Sequence, residues 1–308
     1  MTLNLHLLRV FFAVAEQNGF SRAAEHLFIS QSAVSKAVRE LEQQLDLPLI
    51  ERGVSGGKGI RLTQSGQALF EHARGIFALE RAAVDDIRAR VGLHRGSLTI
   101  GASTTIASYW LPQYIARFTL QFPDITPRIL VGNTQAVSRD LLDCRIDLAL
   151  VEGPVDDALI SSRHWRDDEL AVVASSSSLL HQRQRIDASH LNKLLWIVRE
   201  PGSGTREATQ QLLQAHAIDP VSSMEVGSGE AIVRMVAEGV GVAMLPKVLA
   251  EDLIALGKIR VLNLEDETGN RLEFTRSLHL LEMKNRPHSP ATQAFLRILY
   301  PPHSIQHA

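Results

Sequence analysis

The chain has 308 residues, of which 45% are hydrophobic, and this indicates two or three globular domains because one core rarely serves so long a chain. No apolar run reaches the roughly 18 to 20 residues that cross a bilayer. The N-terminal segment contains Arg9 and Glu16 but no small-residue cleavage site, so we expect a cytoplasmic protein without membrane segments. The single cysteine, Cys144, excludes an intrachain disulfide and a zinc cluster of several thiolates, and we interpret it as an inert thiol.

The charges are unevenly distributed, although the net charge is only −2. Residues 1 to 95 contain 12 Lys and Arg against 10 Asp and Glu, whereas the remainder contains 20 against 24. A slightly cationic N-terminal part favours a nucleic-acid partner only weakly, because a phosphate-binding surface needs local clustering that a count does not reveal.

The N-terminal part is predicted to begin with three short helices. Apolar residues recur at helical spacing from Leu3 to Leu47, with breaks at 18–20 and 29–30. Ser21 is expected to cap the second helix. The inward face of that helix is formed by Ala23, Ala24 and Leu27.

The third helix, expected to begin at Ser30 or Gln31, has two different faces. Its apolar positions are Ala33, Val34, Ala37, Val38 and Leu41. Its polar positions are Gln31, Ser32, Ser35, Lys36 and Arg39. Such side chains suit base edges and phosphates in a major groove, so the pair of helices is typical of a helix-turn-helix. An ordinary helical hairpin with a solvated face has the same spacing and stays open at this point.

The next two segments favour the DNA-binding interpretation. The stretch 49–63, LIERGVSGGKGIRLT, has β-prone ends around four glycines and predicts a hairpin, or wing. Residues 65–91 lack proline and predict one helix of about 27 residues, roughly 40 Å long. Its apolar stripe comprises Leu69, Ala73, Ile76, Ala83 and Ile87, flanked by Phe70, Phe77 and Val84. One isolated helix cannot bury such a stripe, so we expect it to face the same helix of a second copy.

From residue 97 onwards, short β-rich runs alternate with amphipathic helices. The runs are SLTIGAS, PRILVGN, IDLALV, LAVVAS, LWIVRE, SMEVG, VAMLP, IRVLNL and SLHLLEM. This alternation predicts an α/β fold with largely parallel sheets. The chain is expected to pass between two lobes near Trp165 to Leu170, with a cleft between the lobes.

The string LLRVFFAVAEQNGFSRAAEHLFISQSAVSKAVRELEQQLDLPLIER, followed by RLTQSGQALFEHAR, resembles the N-terminal region of LysR-type transcriptional regulators. The later strings PQYIARFTLQFPDITPRILVGN, RIDLALVEGP and EAIVRMVAEGVGVAMLP occur in that family's order, so the resemblance covers nearly the whole chain. It implies a winged helix-turn-helix over 1–64, a dimerisation helix over 65–91 and a periplasmic-binding-protein-like effector domain over 97–303. Lobe I would comprise about 97–167 and 269–303, and lobe II about 168–268.

The resemblance also implies the partners: double-stranded DNA, a small-molecule effector and further copies of the chain, as a homodimer or homotetramer. RNA polymerase is a further candidate partner, and no cofactor, metal or membrane is expected. The expected DNA-binding residues are Ser21, Gln31, Ser32, Ala33, Ser35, Lys36, Arg39, Arg52 and Arg61. The GVSGGKG insert departs from the family pattern. It is no P-loop, because Gly59 follows Lys58 where Ser or Thr is required.

Three predicted strand-to-helix junctions in the second half carry small hydroxylated residues. They are Ser103-Thr104-Thr105, Asn133-Thr134-Gln135 and Ser203-Gly204-Thr205-Arg206. Such junctions present free backbone amides, which suit a bound anion, although Ser and Thr also cap unliganded helices. Arg206 lies in a first helical turn, where a cation is unfavourable unless an anion compensates it. Either a bound effector or the neighbouring Glu207 fills that role.

The resemblance places the effector in the cleft between the lobes. The matching residues are Ser103, Thr104, Thr105, Thr134, Gln135, Ser203, Thr205, Arg206 and Ser228. The string REPGSGTR is similar to family branches that control carbon-dioxide fixation and sulfur or nitrogen assimilation, which implies a small, anionic metabolite.

Two rival functions fit the sequence less well. An enzyme is disfavoured because the sequence has no HExxH, no GxSxG and no GxGxxG after a strand. A soluble transport receptor would consist of the two-lobed half alone and would carry an export signal. The predicted helix-turn-helix and the missing signal peptide disfavour this function.

Overall fold

The computed structural model describes residues 2–51, 59–90, 97–178, 180, 186, 188–265 and 270–301, with backbone alone at 82, 85, 86, 88–90, 188 and 189. The chain divides into two units, Met1–Val84 and Asp85–Ala308. None of the helices within these ranges is both long and apolar enough to span a membrane.

Three short helices form the core of the first unit, as the sequence predicts. They are α1 (Leu5–Glu16), α2 (Phe20–Leu27) and α3 (Gln31–Leu45). Asn4 starts α1, because its side chain accepts hydrogen bonds from the backbone amides of His6 and Leu7. The fully buried side chains at the junction of the helices include Leu8, Phe11, Val34 and Leu41.

The start of α2 differs from the prediction. Gly19 occupies the N-cap position, and no side chain caps this helix. Ser21 lies in the first turn and is exposed. The expectation that Ser21 caps α2 is therefore wrong, because the helix already includes Phe20, whose side chain packs against the core. In α3, by contrast, the Ser30 side chain accepts a hydrogen bond from the Ala33 amide at 3.2 Å.

The base of the predicted wing is present. Ile50 and Leu62 form an antiparallel bridge, and the Glu51 amide donates to the Arg61 carbonyl at 2.9 Å. Residues 52–58, which include Arg52 and most of the glycine-rich insert, lie outside the described residues.

Helix α4 (Gln64–Arg90) has the predicted length of 27 residues, but its apolar stripe is not uniform. Phe12 of α1 contacts Phe70 and Phe77 of α4, with ring centroids 5.1 Å and 5.4 Å apart. The first half of the stripe is therefore covered by its own unit, which corrects the expectation that the whole stripe faces a second copy. Further along, Val84 is 40% and Ile87 64% exposed. Partly buried stripe residues packed on the core of the first unit are Leu69 and Ile76.

The second unit alternates strands and helices, and each β-prone run of the sequence coincides with a strand. Its elements up to the first crossing strand are β1 (Leu98–Ser103), a π-helical segment (Ile106–Trp110), α5 (Pro112–Gln121), β2 (Pro127–Gly132), α6 (Thr134–Leu142), β3 (Leu148–Glu152) and β4 (Ile160–Ser175). The remaining elements are α7 (Ala188–Leu191), β5 (Leu195–Val198), α8 (Gly204–Ala215), β6 (Ser222–Glu225), α9 (Gly229–Ala237), β7 (Ala243–Pro246), α10 (Lys247–Ala255), β8 (Ile259–Val261), β9 (Phe274–Met283) and α11 (Pro290–Leu299).

The larger of the two sheets is mixed, not largely parallel as the sequence suggested. A seven-stranded sheet has the order β2-β1-β3-β9-β4-β7, with β8 also paired to β4, and β5 and β6 form a two-stranded sheet. Strand β1 is parallel to β2 and β3, as β5 is to β6, whereas every pairing of β4 and β9 is antiparallel. The alternation of strands and helices along the chain does not predict the direction in which β4 and β9 pair, because their partner strands are distant in sequence.

Strands β4 and β9 connect two lobes. We call the part built on the core of Leu98, Phe118 and Leu280 lobe I, and the part built on Leu170, Trp196 and Phe274 lobe II. On β4 the chain passes from Trp165, which packs in lobe I, to Leu170. It returns on β9 between Phe274 in lobe II and Leu278 in lobe I. The predicted return at 269 is therefore too early, because β9 begins inside the core of lobe II.

Candidate functional site

Helix α3 presents a polar surface with the composition that the sequence predicts. Its exposed residues are Gln31, Ser32, Ala33, Lys36 and Arg39, and Ser35 is half-buried. The apolar pattern placed both Ala33 and Val34 on the inward face of α3. Val34 is fully buried, but Ala33 is exposed and is not one of the core residues. Polar, small and basic side chains on one open face can contact base edges and phosphates together.

The basic residues near this surface are held only by weak ion pairs. Lys36 lies 3.7 Å from Glu40 one helical turn further on, and both side chains are largely solvated. Arg61 at the base of the wing lies 3.9 Å from Glu51. Exposed pairs of this kind contribute little, so both cations are available to exchange their partner for phosphate.

The second candidate site is the cleft between the lobes. Three of its loops follow the carboxyl ends of the parallel strands β1, β2 and β5, where α/β folds usually bind ligands. The lobes meet closely there: a Cβ on Gly204 would come within 2.4 Å of the Glu152 carbonyl oxygen. The backbone amide of Gln135 in lobe I donates to the backbone carbonyl of Gly202 in lobe II at 3.1 Å.

The cation at the centre of this cleft is Arg199, which follows β5. Its side chain is only 4% exposed and forms a two-point ion pair with Glu200, at 2.8 Å from Nε and 3.0 Å from Nη2. Its Nη1 donates across the lobes to the Thr104 hydroxyl at 3.3 Å. A Cβ on Gly229, the first residue of α9, would lie 3.9 Å from the same Nη1. Nη1 therefore lies where a loop of lobe I meets a helix N-terminus of lobe II.

Electrostatics favour the charged state of Glu200 despite its desolvation. Burial is the largest effect and acts to raise its pKa. The hydrogen bond and positive charge of Arg199, a backbone hydrogen bond and the hydrogen bond from Asn133 together outweigh burial, so the pKa lies below the usual range. The ion pair is thus fully formed near neutral pH.

Arg206 has an anionic partner that the sequence did not indicate. Its Nη1 donates to the Arg199 carbonyl and to Glu225 on β6, both at 2.8 Å. Glu225 therefore compensates this first-turn cation. The pair attaches α8 to the two-stranded sheet.

Thr205 and Thr134 belong to a buried ionic network beside the crossing strands. Arg276 donates to the Thr205 hydroxyl at 2.8 Å and to Asp168 at 2.9 Å, and its Nη2 lies 3.6 Å from Glu152. The Thr134 hydroxyl bonds to Glu152 at 3.2 Å. Burial raises the pKa of Asp168 more than the adjacent Arg276 lowers it. One guanidinium shared by two carboxylates thus joins both lobes to the crossing strands.

The remaining predicted effector residues have varied surroundings. Ser103 is 2% exposed, and its hydroxyl has no hydrogen-bond partner within the described part of the chain. Thr105 and Ser203 are also buried, and Ser203 makes no side-chain cap of α8. Ser228 caps α9 through the Ala231 amide at 3.4 Å, and Gln135 is exposed.

Sequence reasoning missed several residues of this cleft. Arg199 and Glu200 lie in the quoted string REPGSGTR, yet only the second arginine seemed notable because of its helical position. Arg276 and Asp168 face each other across β4 and β9, a pairing between residues 108 positions apart that no local pattern reveals.

The chain matches the family of LysR substrate binding domains over residues 92–300. It also matches the bacterial regulatory helix-turn-helix proteins of the lysR family over residues 5–67. The chain therefore belongs to the LysR family: it is a transcriptional regulator with an N-terminal helix-turn-helix and a C-terminal effector-binding domain, and not an enzyme.

Two relatives illustrate the likeness. The chain is 36% identical over 259 residues to the uncharacterized regulator YeiE of Escherichia coli K12, covering 84% of this chain and 86% of the relative. It is 32% identical over 296 residues to the RuBisCO operon transcriptional regulator of Acidithiobacillus ferrooxidans, covering 96% and 93%.

Solved structures agree on the fold. Full-length OxyR from Pseudomonas aeruginosa is similar with a TM-score of 0.74 and 23% identity, over 97% of this chain and 95% of that one. The regulatory domain of CcmR from Synechocystis, solved in complex with 2-PG, has a TM-score of 0.58 and 27% identity, over 67% of this chain and 96% of that one.

Proposed function

We propose that this regulator reads DNA with the exposed face of α3 and that a small metabolite with one anionic group, held between the lobes, controls this reading. The observation that carries the proposal is the guanidinium of Arg199. It is almost completely buried, yet its Nη1 lies at the junction of Thr104 and the start of α9.

The surroundings of Arg199 support an anionic group in particular. The N-terminus of α9 adds backbone amides and the positive end of the helix dipole to the guanidinium. The buried hydroxyl of Ser103, which has no partner among the described residues, directly precedes Thr104 and supplies a further donor. We therefore assign the anion contact to Arg199, Ser103 and Thr104, and keep Arg206 as a residue that fixes α8.

The charge balance of the cleft limits the effector to a compact anion. Glu200 already pairs with Nε and Nη2 of Arg199, so the ligand would approach Nη1, which also donates to the Thr104 hydroxyl. The names of similar proteins indicate the chemistry: one regulates a RuBisCO operon, and the CcmR domain was solved with 2-PG. The ligands to test first are small phosphorylated or carboxylated metabolites and sulfur oxyanions.

A thermal-shift panel tests the effector assignment. Full-length protein is heated with 2-phosphoglycolate, shikimate, sulfate and thiosulfate at constant ionic strength. We expect at least one of them to stabilise the wild type, and Arg199→Met to abolish the shift, because a hydrogen bond to a charged group contributes about 1.5–3 kcal/mol. Arg206→Met is the matched control and should retain it. An equal shift in wild type and Arg199→Met would overturn the assignment.

The proposed DNA contacts are divided by role. Gln31, Ser32, Ala33 and Ser35 would contact base edges, whereas Lys36, Arg39 and Arg61 would contact phosphates. Arg52 remains part of the proposal as a wing residue outside the described ranges. A regulator that reads chromosomal DNA works in the cytoplasm, where we place this protein.

Self-association is the third part of the proposal. Leu79, Ala83 and Ile87 recur every four residues on α4 and are exposed. Because the same helix in a second copy offers an identical apolar strip, a two-fold pairing of α4 would cover both strips at once. We infer a homodimer built on this part of α4, with a tetramer as its further assembly.

A further inference from the structure

Tyr109 carries a contact between the lobes that is separate from the crossing strands. It lies in the π-helical segment Ile106–Trp110, which follows the loop Ser103–Thr105 directly. Its ring packs against the core of lobe II beside α9 and α10. Its hydroxyl donates to the carboxylate of Glu230, also in lobe II. A side chain of lobe I is thereby attached to lobe II by apolar packing and by a charge-assisted hydrogen bond.

The residues at both ends of this contact adjoin the proposed effector loops. Glu230 lies in the first turn of α9, directly after Gly229 and two residues after the cap Ser228. Tyr109 lies five residues after Thr104, which accepts from Arg199. The Tyr109–Glu230 contact thus links the two segments that enclose Nη1 of Arg199.

The hydroxyl of Tyr109 is a persistent donor. Burial raises the pKa of Tyr109, and the hydrogen bond to Glu230 raises it further, so the phenol keeps its proton throughout the physiological range. The π-helical backbone of this segment agrees with a special role, since π-helical turns are rare and frequently lie at functional sites.

We propose that Tyr109 is a positioning residue of the effector cleft: with Glu230 it forms a clasp that holds lobe I and the N-terminus of α9 together over the bound ligand. The inference rests on the proposed effector site, and it adds a contact that controls how long the ligand is held there. The contact of Thr205 with Arg276 also joins the lobes, but it lies at the crossing strands, where the lobes are joined covalently in any state. The contacts of Arg199 with Thr104 and of Gln135 with Gly202 lie, like the clasp, away from these strands. The clasp lies on segments that can separate when the cleft opens.

The conservative variant Tyr109→Phe isolates the clasp, because it keeps the ring packing and removes only the hydroxyl. Amide hydrogen exchange is measured on the full-length protein without ligand. Losing one partly exposed charge-assisted hydrogen bond should speed exchange about fivefold in 106–111 and 229–233 and leave β1 and β3 unchanged. The matched control is Tyr300→Phe, whose hydroxyl donates to the His164 carbonyl at 3.1 Å within lobe I.

Two variants of the acceptor separate the hydrogen bond from other effects. Glu230→Gln keeps an acceptor oxygen and should exchange nearly as slowly as the wild type, whereas Glu230→Ala should match Tyr109→Phe. Unchanged exchange of 106–111 and 229–233 in Tyr109→Phe would overturn the clasp. Equal acceleration of these segments in Tyr300→Phe would also overturn it, as would equal acceleration in Glu230→Gln and Glu230→Ala.

A ligand experiment extends the test to the effector. With 2-phosphoglycolate as the probe, stopped-flow release should be about fivefold faster in Tyr109→Phe, with the association rate nearly unchanged. Release at the wild-type rate would contradict the clasp. If the probe does not bind the wild type, that result counts against the proposed effector, while the exchange data still decide whether the clasp exists.

Discussion

Asp168 on β4 and Arg276 on β9 are cross-strand neighbours whose side chains form a buried ion pair, with 2.8 Å between Oδ2 and Nη2. Because the same guanidinium also bonds to Thr205 and approaches Glu152, three residues depend on it. Removing the cation would leave two buried carboxylates without compensation.

We therefore expect Arg276→Met to lower the free energy of unfolding of the second unit by about 3–5 kcal/mol. All three tryptophans follow residue 97, so denaturant unfolding followed by tryptophan emission reports this unit alone. The control Arg163→Met removes an exposed arginine 3.7 Å from Glu282 and should cost less than about 1 kcal/mol. Equal losses in the two variants would contradict the special role of Arg276.

The pH dependence of Arg276→Met provides a second check. The pKa of Asp168 is already raised by burial in the wild type, and loss of Arg276 should raise it further. A carboxyl whose pKa is higher in the folded than in the unfolded state binds its proton more tightly when folded. The variant should consequently regain stability as the pH falls from 7 towards 5, whereas falling stability over that range would contradict the assignment.

The caps of α2 and α3 give a matched pair of serine variants. Ser30→Ala removes the acceptor for the Ala33 amide and should destabilise the first unit by about 1 kcal/mol. Ser21→Ala should change stability little, because Gly19 holds the cap position of α2. Thermal unfolding followed by circular dichroism measures both, and a larger effect at Ser21 would show that α2 begins where the sequence suggested.

The DNA-reading surface is tested by reversing one charge. Lys36→Glu should weaken binding to a duplex selected from a random pool by the wild type, at least tenfold, because it places a carboxylate against phosphate. Fluorescence anisotropy at several salt concentrations should also show a reduced salt slope. Lys258→Glu in lobe II is the control with the same charge change; equal loss in both variants would indicate a general charge effect.

Acidic substitutions should have different effects on the exposed strip of α4, formed by Leu79, Ala83 and Ile87, and on the part of α4 that packs against the first unit. Leu79→Asp combined with Ile87→Asp should produce monomers without unfolding the first unit, because both side chains are exposed. Ile76→Asp should instead destabilise that unit, since Ile76 packs against its core. Analytical ultracentrifugation with circular dichroism separates these outcomes. A dimer that persists in the double variant would exclude this strip as the interface.

Local patterns predicted much of this fold, whereas several misses come from contacts between residues that are distant in sequence. The strands of the described ranges and the helices of the first unit largely coincide with apolar runs and helical spacings that are visible locally. The segment from Ile160 to Glu169 is a strand because it pairs with β9, more than 100 residues away, and its polar side chains hide this. The partner of Arg206 was missed for the same reason, since Glu225 lies on a strand that only the fold brings near.

The candidate site divides in the same way. The hydroxylated loops around Thr104, Thr134 and Thr205 follow from strand-to-helix junctions, and the structure brings all three to one cleft. Which arginine faces that cleft depends on the side-chain partners. Arg199 pairs with its neighbour Glu200 and is 4% exposed, whereas Arg206 pairs with the distant Glu225 and is 25% exposed, and no spacing rule reveals this difference.

We propose that an anion at Arg199 controls DNA binding by α3, and this coupling between the two sites can be measured. Anisotropy titrations of the selected duplex are run with and without the panel compound that gives the largest thermal shift, at constant ionic strength. We expect the compound to change the DNA affinity of the wild type at least fivefold, and saturating DNA to change the affinity for the compound by the same factor, as linkage requires. Arg199→Met should keep the basal DNA affinity and lose the response. Superimposable isotherms for the wild type, with and without the compound, would show that the anion does not control DNA binding.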